Sequence, residues 1–308
     1  MNTATRHGCL LAAIACHAML AGPANGESAK LLEASAREKT PLTDDQNEPA
    51  SQHPLEPVLA MAQEAYDRIG AEVQDYTCRI IRRERLGGKL RPYEFMRAKI
   101  RHELPLDESN EAASGDNAAT PFSVYLQFEK PRALAGREVL FVEGRNAGRM
   151  LVRRGGTRLA YVTTYLSPDS PLAVKESRYP ITDVGFHRLI GRLIEVVKED
   201  LEHDECRVQF FEGAKIGDRV CTRVLVEHPT QRDHFRYHRA IIFIDTDRQI
   251  PLGYASYTWS DKPGGKPVLV EEYLYTDVKL NVGLTDDDFD RDNPAYGFLK
   301  RDAVVAKD

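Results

Sequence analysis

The sequence predicts an α+β fold: a curved antiparallel half-barrel of about nine to eleven strands, with an N-terminal helix and an internal helix packed on its concave face. Three observations carry this. Phe122, Val124, Leu126 and Phe128 alternate with Ser123, Tyr125, Gln127 and Glu129, the period of a strand with one buried face. Two stretches, 57–73 and roughly 182–203, repeat apolar residues at helical spacing instead. Strand patterns then resume between residues 206 and 280, so strands come in runs and do not alternate with helices.

Residues 1–26 have the make-up of a secretory leader. Arg6 is followed by a short apolar core from Cys9 to Ala21, and Ala24 and Gly26 set small residues before a cut at Glu27. That core is too short to span a membrane. The sequence therefore predicts a periplasmic or secreted protein. A lipoprotein anchored at Cys16 is the minor alternative, weakened because Ala13 stands where a large aliphatic belongs. Residues 27–54, rich in Glu, Ser, Pro, Asp and Gln, read as a disordered linker. From there, residues 55–299 read as one domain with a polar tail, 300–308.

Within that domain, Val58, Met61, Ala62, Ala65, Ile69 and Val73 form the stripe of the first helix. A hairpin follows from Tyr76 to Arg101, turning at Gly87-Gly88. The low-complexity segment at about 105–120 cannot bury anything and reads as a flexible insertion. Strands resume from 122 to 165, passing through the glycine-bounded turn GRNAG. After the Ser-Pro pairs at 167–168 and 170–171, Thr182 or Asp183 is the expected cap of a helix reaching about His203. Its stripe is Val184, Ile190, Leu193, Ile194, Val197 and Leu201.

The chain carries 42 Lys and Arg against 47 Asp and Glu. Acidity concentrates in 27–57 and 103–120, whereas 79–101 holds nine bases and two acids. Arg79, Arg82, Arg83, Arg85, Arg97, Lys99 and Arg101 thus mark a basic face. It is either a solvated hairpin or a contact for anionic headgroups or an acidic partner. Export and an isoelectric point near 6.0 argue against nucleic acid.

Three cysteines lie beyond the leader: Cys78, Cys206 and Cys221. Gly213 and Gly217 near the centre of the 206–221 segment predict a hairpin that sets Cys206 opposite Cys221, a disulfide in an oxidising compartment, with Cys78 left as a buried thiol. No CxxC or HExxH spacing supports zinc. HFRYH (234–238) reads as the start of a strand, where positions i and i+4 lie too far apart to share a metal. Asp286, Asp288, Asp290 and Asp292 lack the glycine and closing Glu of a calcium loop, since Arg291 and Gly297 stand there. No nucleophile elbow, phosphate-binding loop or dinucleotide fingerprint occurs, so neither a catalytic group nor a cofactor is predicted.

Several segments together resemble a family. YTC (76–78), RRERLGGKL (82–90), KIRHE (99–103), PFSVYLQF (121–128) and GREVLFVEGRNAGRML (136–151) are similar to the bacterial domain of unknown function 1571. So are DSPLAVKESRYPITDVG (169–185), EGAKIGDRVCTRV (212–224), LVEEYLY (269–275) and LTDDDFDRDNPAYGF (284–298). The resemblance covers roughly 58–298, departs from the family at the insertion, and implies no catalytic residue because the family has no established activity. The layout also resembles the LolA/LolB lipoprotein-localisation fold. That implies a concave cavity for acyl chains lidded by helices.

The function expected is an exported, non-catalytic carrier or sensor of a lipid or lipoprotein acyl chain. Phe122, Val124, Leu126 and Phe128 of the sheet, with Leu193 and Val197 of the helix, are the expected cavity residues. The alternative is an envelope module that binds a protein partner through the basic hairpin, its core filled and without a ligand cavity.

Overall fold

The structure, a computed structural model, describes residues 53–104 and 120–299. The predicted leader, Cys16, nearly all of the linker, the insertion and the polar tail lie outside the described residues.

Helix α1 (Glu56–Glu72) begins with Pro57 in its first turn, where a missing N–H costs nothing, and buries Val58, Ala62 and Ile69. Strands β1 (Asp75–Leu86), β2 (Lys89–Leu90) and β3 (Glu94–Arg101) follow, the first two joined at Gly87-Gly88 as the sequence predicts. The first run closes with β4 (Ser123–Lys130), β5 (Glu138–Val142), β6 (Met150–Arg153) and β7 (Thr163–Leu166). A one-turn helix α2 (Pro171–Val174) and helix α3 (Phe186–Asp200) come next. The chain then adds β8 (Arg207–Ile216), β9 (Arg219–Glu227), β10 (Arg239–Asp245), β11 (Pro251–Thr258) and β12 (Val268–Leu280).

These strands form one antiparallel sheet in the order β7-β6-β5-β4-β3-β1-β12-β11-β10-β9-β8, with the short β2 paired to β1 alone. The sheet is open, β7 and β8 being its two ends, and its twelve strands exceed the nine to eleven expected. The register shifts within the pairs β1–β12, β3–β4, β10–β11, β11–β12 and β8–β9, as bulges that bend long strands do. No helix among the described residues is long and apolar enough to cross a membrane.

Helices α1 and α3 cross on one face of the sheet. Gly70 and Gly191 allow the close approach: a Cβ at either would sit 3.1 Å from His187 or Tyr66, whose rings stack at 3.9 Å. The start of α3 corrects the predicted cap. Thr182 and Asp183 lie in a separate 3₁₀ turn, and α3 begins at Phe186 behind Gly185, whose φ of +117° suits only glycine. The Phe186 N–H donates to the Tyr76 hydroxyl at 2.9 Å, so a tyrosine from β1 caps the helix. Its far end falls at Asp200, short of His203.

The opposite face is not left to solvent. Residues 284–298 run back across β4–β6, and Phe289 and Phe298 are buried against Tyr125, Leu140, Val142 and Leu151. Tyr296 stacks on Tyr125 at 3.9 Å. The Asp75 carboxylate secures the beginning of this strap by accepting the N–H groups of Val282, Gly283 and Leu284 at 2.7, 3.2 and 3.0 Å. Every residue of β5 is consequently buried.

The predicted disulfide is absent. Gly217-Asp218 forms the tip of the β8–β9 hairpin, with Ile216 opposite Arg219, so Cys221 lies beside the tip and faces Ala214. Cys206 precedes β8 at the other end of the hairpin, and all three cysteines are free and buried. The sequence reading centred the turn between Gly213 and Gly217, whereas the tight turn uses Gly217 alone, with φ +61°. A second correction concerns HFRYH: residues 231–238 form a loop, and β10 starts only at Arg239.

Candidate functional site

Where α3 passes over the second half of the sheet, the packing opens into a cavity of about 350 Å³. Val58 of α1, Leu193, Val196 and Val197 of α3, and Val226 and Ile242 of the sheet give it an apolar body. At one end the lining turns polar, with Arg82, Arg178, Tyr179, Ser256, Glu271 and Tyr273. A second space of about 40 Å³, lined by Met61, Ala62, Ala65 and Ile244, shares Val58, Ile190, Leu193 and Ile242 with the first.

The polar end is a closed network around two buried carboxylates. Glu271 accepts from Ser256 Oγ, Tyr179 OH and Arg178 Nε, each at 2.9 Å. Glu84 accepts from the Tyr273 hydroxyl and, at 3.2 Å, from the backbone N–H of Arg178. Arg82 bridges Glu94 at 2.8 Å and Glu84 at 3.5 Å, and its guanidinium also donates to Ser177. Burial, with the neighbouring carboxylates, drives the Tyr179 and Tyr273 pKa values up, so both hydroxyls stay protonated donors. Two arginines of the rim are also paired: Arg192 with Asp183 at 2.7 Å and Arg236 with Glu199 at 2.7 Å.

The opposite end reaches a buried pair behind Tyr237. The Tyr237 hydroxyl donates to Asp200 at 2.9 Å, and His228 Nε2 stands 3.6 Å from the same carboxylate. Burial raises the Asp200 pKa and lowers that of His228, favouring the neutral form of each.

Of the residues expected to line a cavity, Leu193 and Val197 do so. Phe122, Val124, Leu126 and Phe128 do not: they are buried in the main core, which α1 and α3 fill through Ile69, Phe186, Ile190 and Ile194. The Arg188 guanidinium closes this half, lying 3.9 Å from the Phe122 ring centroid. Sequence reading missed the polar end. Most of its residues nonetheless fall inside the segments that resemble the family: Arg82 in 82–90, Arg178 and Tyr179 in 169–185, Glu271 and Tyr273 in 269–275, with Ser256 outside them. The signal was a glutamate pair inside an apolar, aromatic strand, and both glutamates are buried.

The basic face is largely answered from within the chain. Arg79 and Arg97 pair with Glu129, Arg82 with Glu84 and Glu94, Lys99 with Asp288, and Arg101 with Asp286. Arg83 lies over the Tyr93 ring at 4.8 Å, and Arg85 donates to the carbonyls of Leu269 and Gly88. The acidic turn that superficially resembles a calcium loop therefore supplies carboxylates to this face. No group of three or more potential metal ligands occurs among the described residues.

Acid sensitivity is built in around the helix crossing. Burial lowers the pKa of His102 and of His187, whose rings lie 5.7 Å apart, as it does for His228. A lowered imidazole pKa means that the unfolded chain binds more protons below about pH 6.5, so this stability is present above that pH and lost as the pH falls through it. Asp200, raised, acts in the opposite sense. The expected result is a lower urea midpoint at about pH 5 than at about pH 7.5, with His102→Gln showing a shallower dependence than the parent. A parallel shift in parent and variant would remove His102 from the explanation.

No curated protein matches the sequence. Among solved structures, a DUF1329 family protein from Desulfovibrio piger aligns at 13% identity and TM-score 0.36, covering 78% of this chain and 98% of that one. A putative outer membrane lipoprotein-sorting protein domain from Vibrio parahaemolyticus aligns at 14% identity and TM-score 0.35, covering 75% and 95%. A LolA superfamily protein from Nitrosomonas europaea aligns at 12% identity and TM-score 0.28, covering 79% and 99%. Similarities of that size say nothing about ligand or partner. The sequence match is of another order: residues 73–298 fit the model of the protein of unknown function family DUF1571, and the chain belongs to that family.

Proposed function

We propose that this protein is a non-catalytic carrier or sensor of the cell envelope that seats an acyl chain, free or borne by a lipoprotein, between α3 and the sheet. The observation that carries this reading is the cavity itself. At about 350 Å³ it lies within the range of small-ligand sites, and an apolar body ending in fixed hydrogen-bonding groups suits an amphiphile. The leader composition supports export. The thiols do not favour an enzyme: burial pushes Cys206 and Cys221 up to about 11 and Cys78 higher still, so each remains a protonated, weak nucleophile.

Each CH₂ transferred from water into such a cavity gains about 0.8 kcal/mol, so a long chain should survive gentle purification. Native mass spectrometry of protein from the envelope should show heterogeneous added mass. Leu193→Trp, which places an indole in the cavity from a half-buried helix position, should return the protein to its bare mass with secondary structure intact. Bare mass in the parent protein, together with no uptake of a hydrophobic fluorescent probe, would favour the protein-binding module. Leu126→Asp and Phe128→Asp would not serve, because those side chains belong to the filled core and the substitutions would test folding instead.

A further inference from the structure

Eight large hydrophobic side chains are exposed among the described residues, and five of them gather in one stretch: Leu159, Tyr161, Val162, Leu172 and Val174. Tyr161 is 60% exposed and Leu172 59%. The two parts of this stretch are tied together in space. The Arg154 N–H donates to the Val162 carbonyl at 3.0 Å, Arg137 donates to the Arg154 carbonyl at 3.2 Å, and the same guanidinium pairs with Glu176 just beyond α2. The β6–β7 loop and α2 therefore form one lip.

The charge of this lip differs from that of the basic hairpin. Arg154, Arg158 and Lys175 are exposed and have no carboxylate partner among the described residues, whereas most of the hairpin's bases are ion-paired. Between residues 154 and 175 the single acid is Asp169, which accepts from Ser167 at 2.7 Å. The chain leaving the lip then supplies Ser177, Arg178 and Tyr179 to the cavity lining. Solvent-exposed leucines and a tyrosine accompanied by unpaired cations, in a stretch that runs directly into the cavity lining, fit the boundary layer of a bilayer: the side chains enter the headgroup region while the cations meet lipid phosphates.

We propose that this lip docks the protein on a membrane surface bearing anionic lipid, setting the cavity mouth against the bilayer. Docking does not require the cavity to be occupied and goes beyond the carrier reading. The test is sedimentation of the full chain recovered from the envelope with vesicles of phosphatidylcholine plus phosphatidylglycerol, or of phosphatidylcholine alone. Variants are compared in the same background, so any contribution from the leader cancels. Preferential binding to the anionic vesicles, weakening with salt, is expected. Each cation near such a surface contributes roughly fivefold, so Arg154→Ala/Arg158→Ala/Lys175→Ala should bind on the order of a hundredfold more weakly. Leu159→Ser/Tyr161→Ser/Leu172→Ser should lose binding, while Val220→Ser/Val282→Ser, which removes exposed valines elsewhere, should bind as the parent does. Far-UV circular dichroism confirms that each variant is folded. Absence of anionic-vesicle binding by the parent, or binding indifferent to the charge variant, overturns the proposal and would assign the lip to a protein partner. Vesicle binding retained by Leu193→Trp, alongside bare-mass parent protein, would leave docking standing while the carrier reading falls.

Discussion

Phe186→Ala should destabilise the protein by about 3–5 kcal/mol, the range for deleting a fully buried phenyl ring. Phe186 has no exposed surface, stacks on Tyr76 with centroids 4.5 Å apart, and meets Tyr275 at 5.0 Å. It also opens α3, its N–H held by the Tyr76 hydroxyl. Truncation leaves a cavity at the point where helix, β1 and β12 converge, and nearby groups can collapse into it only partially. Urea denaturation followed by circular dichroism should show a lower midpoint at an unchanged slope. A loss under about 1 kcal/mol would mean that α3 is anchored elsewhere along its length.

Glu138→Ala should be nearly as costly, about 3–5 kcal/mol, for a different reason. Glu138 is 2% exposed and holds the C-terminal strap to the sheet. It accepts from Tyr125 OH at 2.9 Å and from the Gly297 N–H at 2.8 Å, with Arg153 3.9 Å away. Alanine would leave a buried hydroxyl, an amide and a guanidinium without their anion. Glu138→Gln keeps the shape and one acceptor, and should recover part of the loss. The two effects can also be separated by protease. Glu138→Ala should expose cleavage sites within 284–298, and Phe186→Ala should not. Equal protection of both variants would show that the strap does not depend on Glu138.

The sequence revealed the features that periodicity encodes. Both helices lie where their apolar stripes place them, and the β1–β2 turn falls on Gly87-Gly88. What periodicity cannot encode was lost. Alternation identified Phe122, Val124, Leu126 and Phe128 as one face of β4, but whether that face lines a space or a solid core depends on how α1 and α3 settle over it. Alternation also cast Tyr125 as outward and polar, because nothing local announces that residues 284–298 return to cover it. The α3 cap comes from Tyr76, 110 positions away, so a search of the adjacent residues could only find Thr182 and Asp183. The disulfide failed on a turn placed a few residues early, enough to carry Cys206 to the far end of its hairpin. The polar end of the cavity joins β1, β12 and the segment after α2, so no short window of sequence contains it.

The strand order has a consequence for how the chain reaches this state. Neighbours in the eleven-strand path follow one another in the chain, β1 and β3 being parted only by the short β2, except at β1 beside β12. On one side β1 to β7 can zip up as successive antiparallel pairs, and on the other β8 to β12 can do the same, each closing a loop far shorter than the domain. Joining the halves requires Tyr76 to find Leu280 and Glu84 to find Glu271, a closure across nearly the whole domain. Such pairing is entropically late, so the seam should be the slow, rate-determining event and the two meanders its preformed reactants. The chain between them, residues 167–206, carries α3, whose buried side chains touch both halves. That helix is thus a splint across the seam, and the gap beneath it is left where the splint does not press the second meander flat.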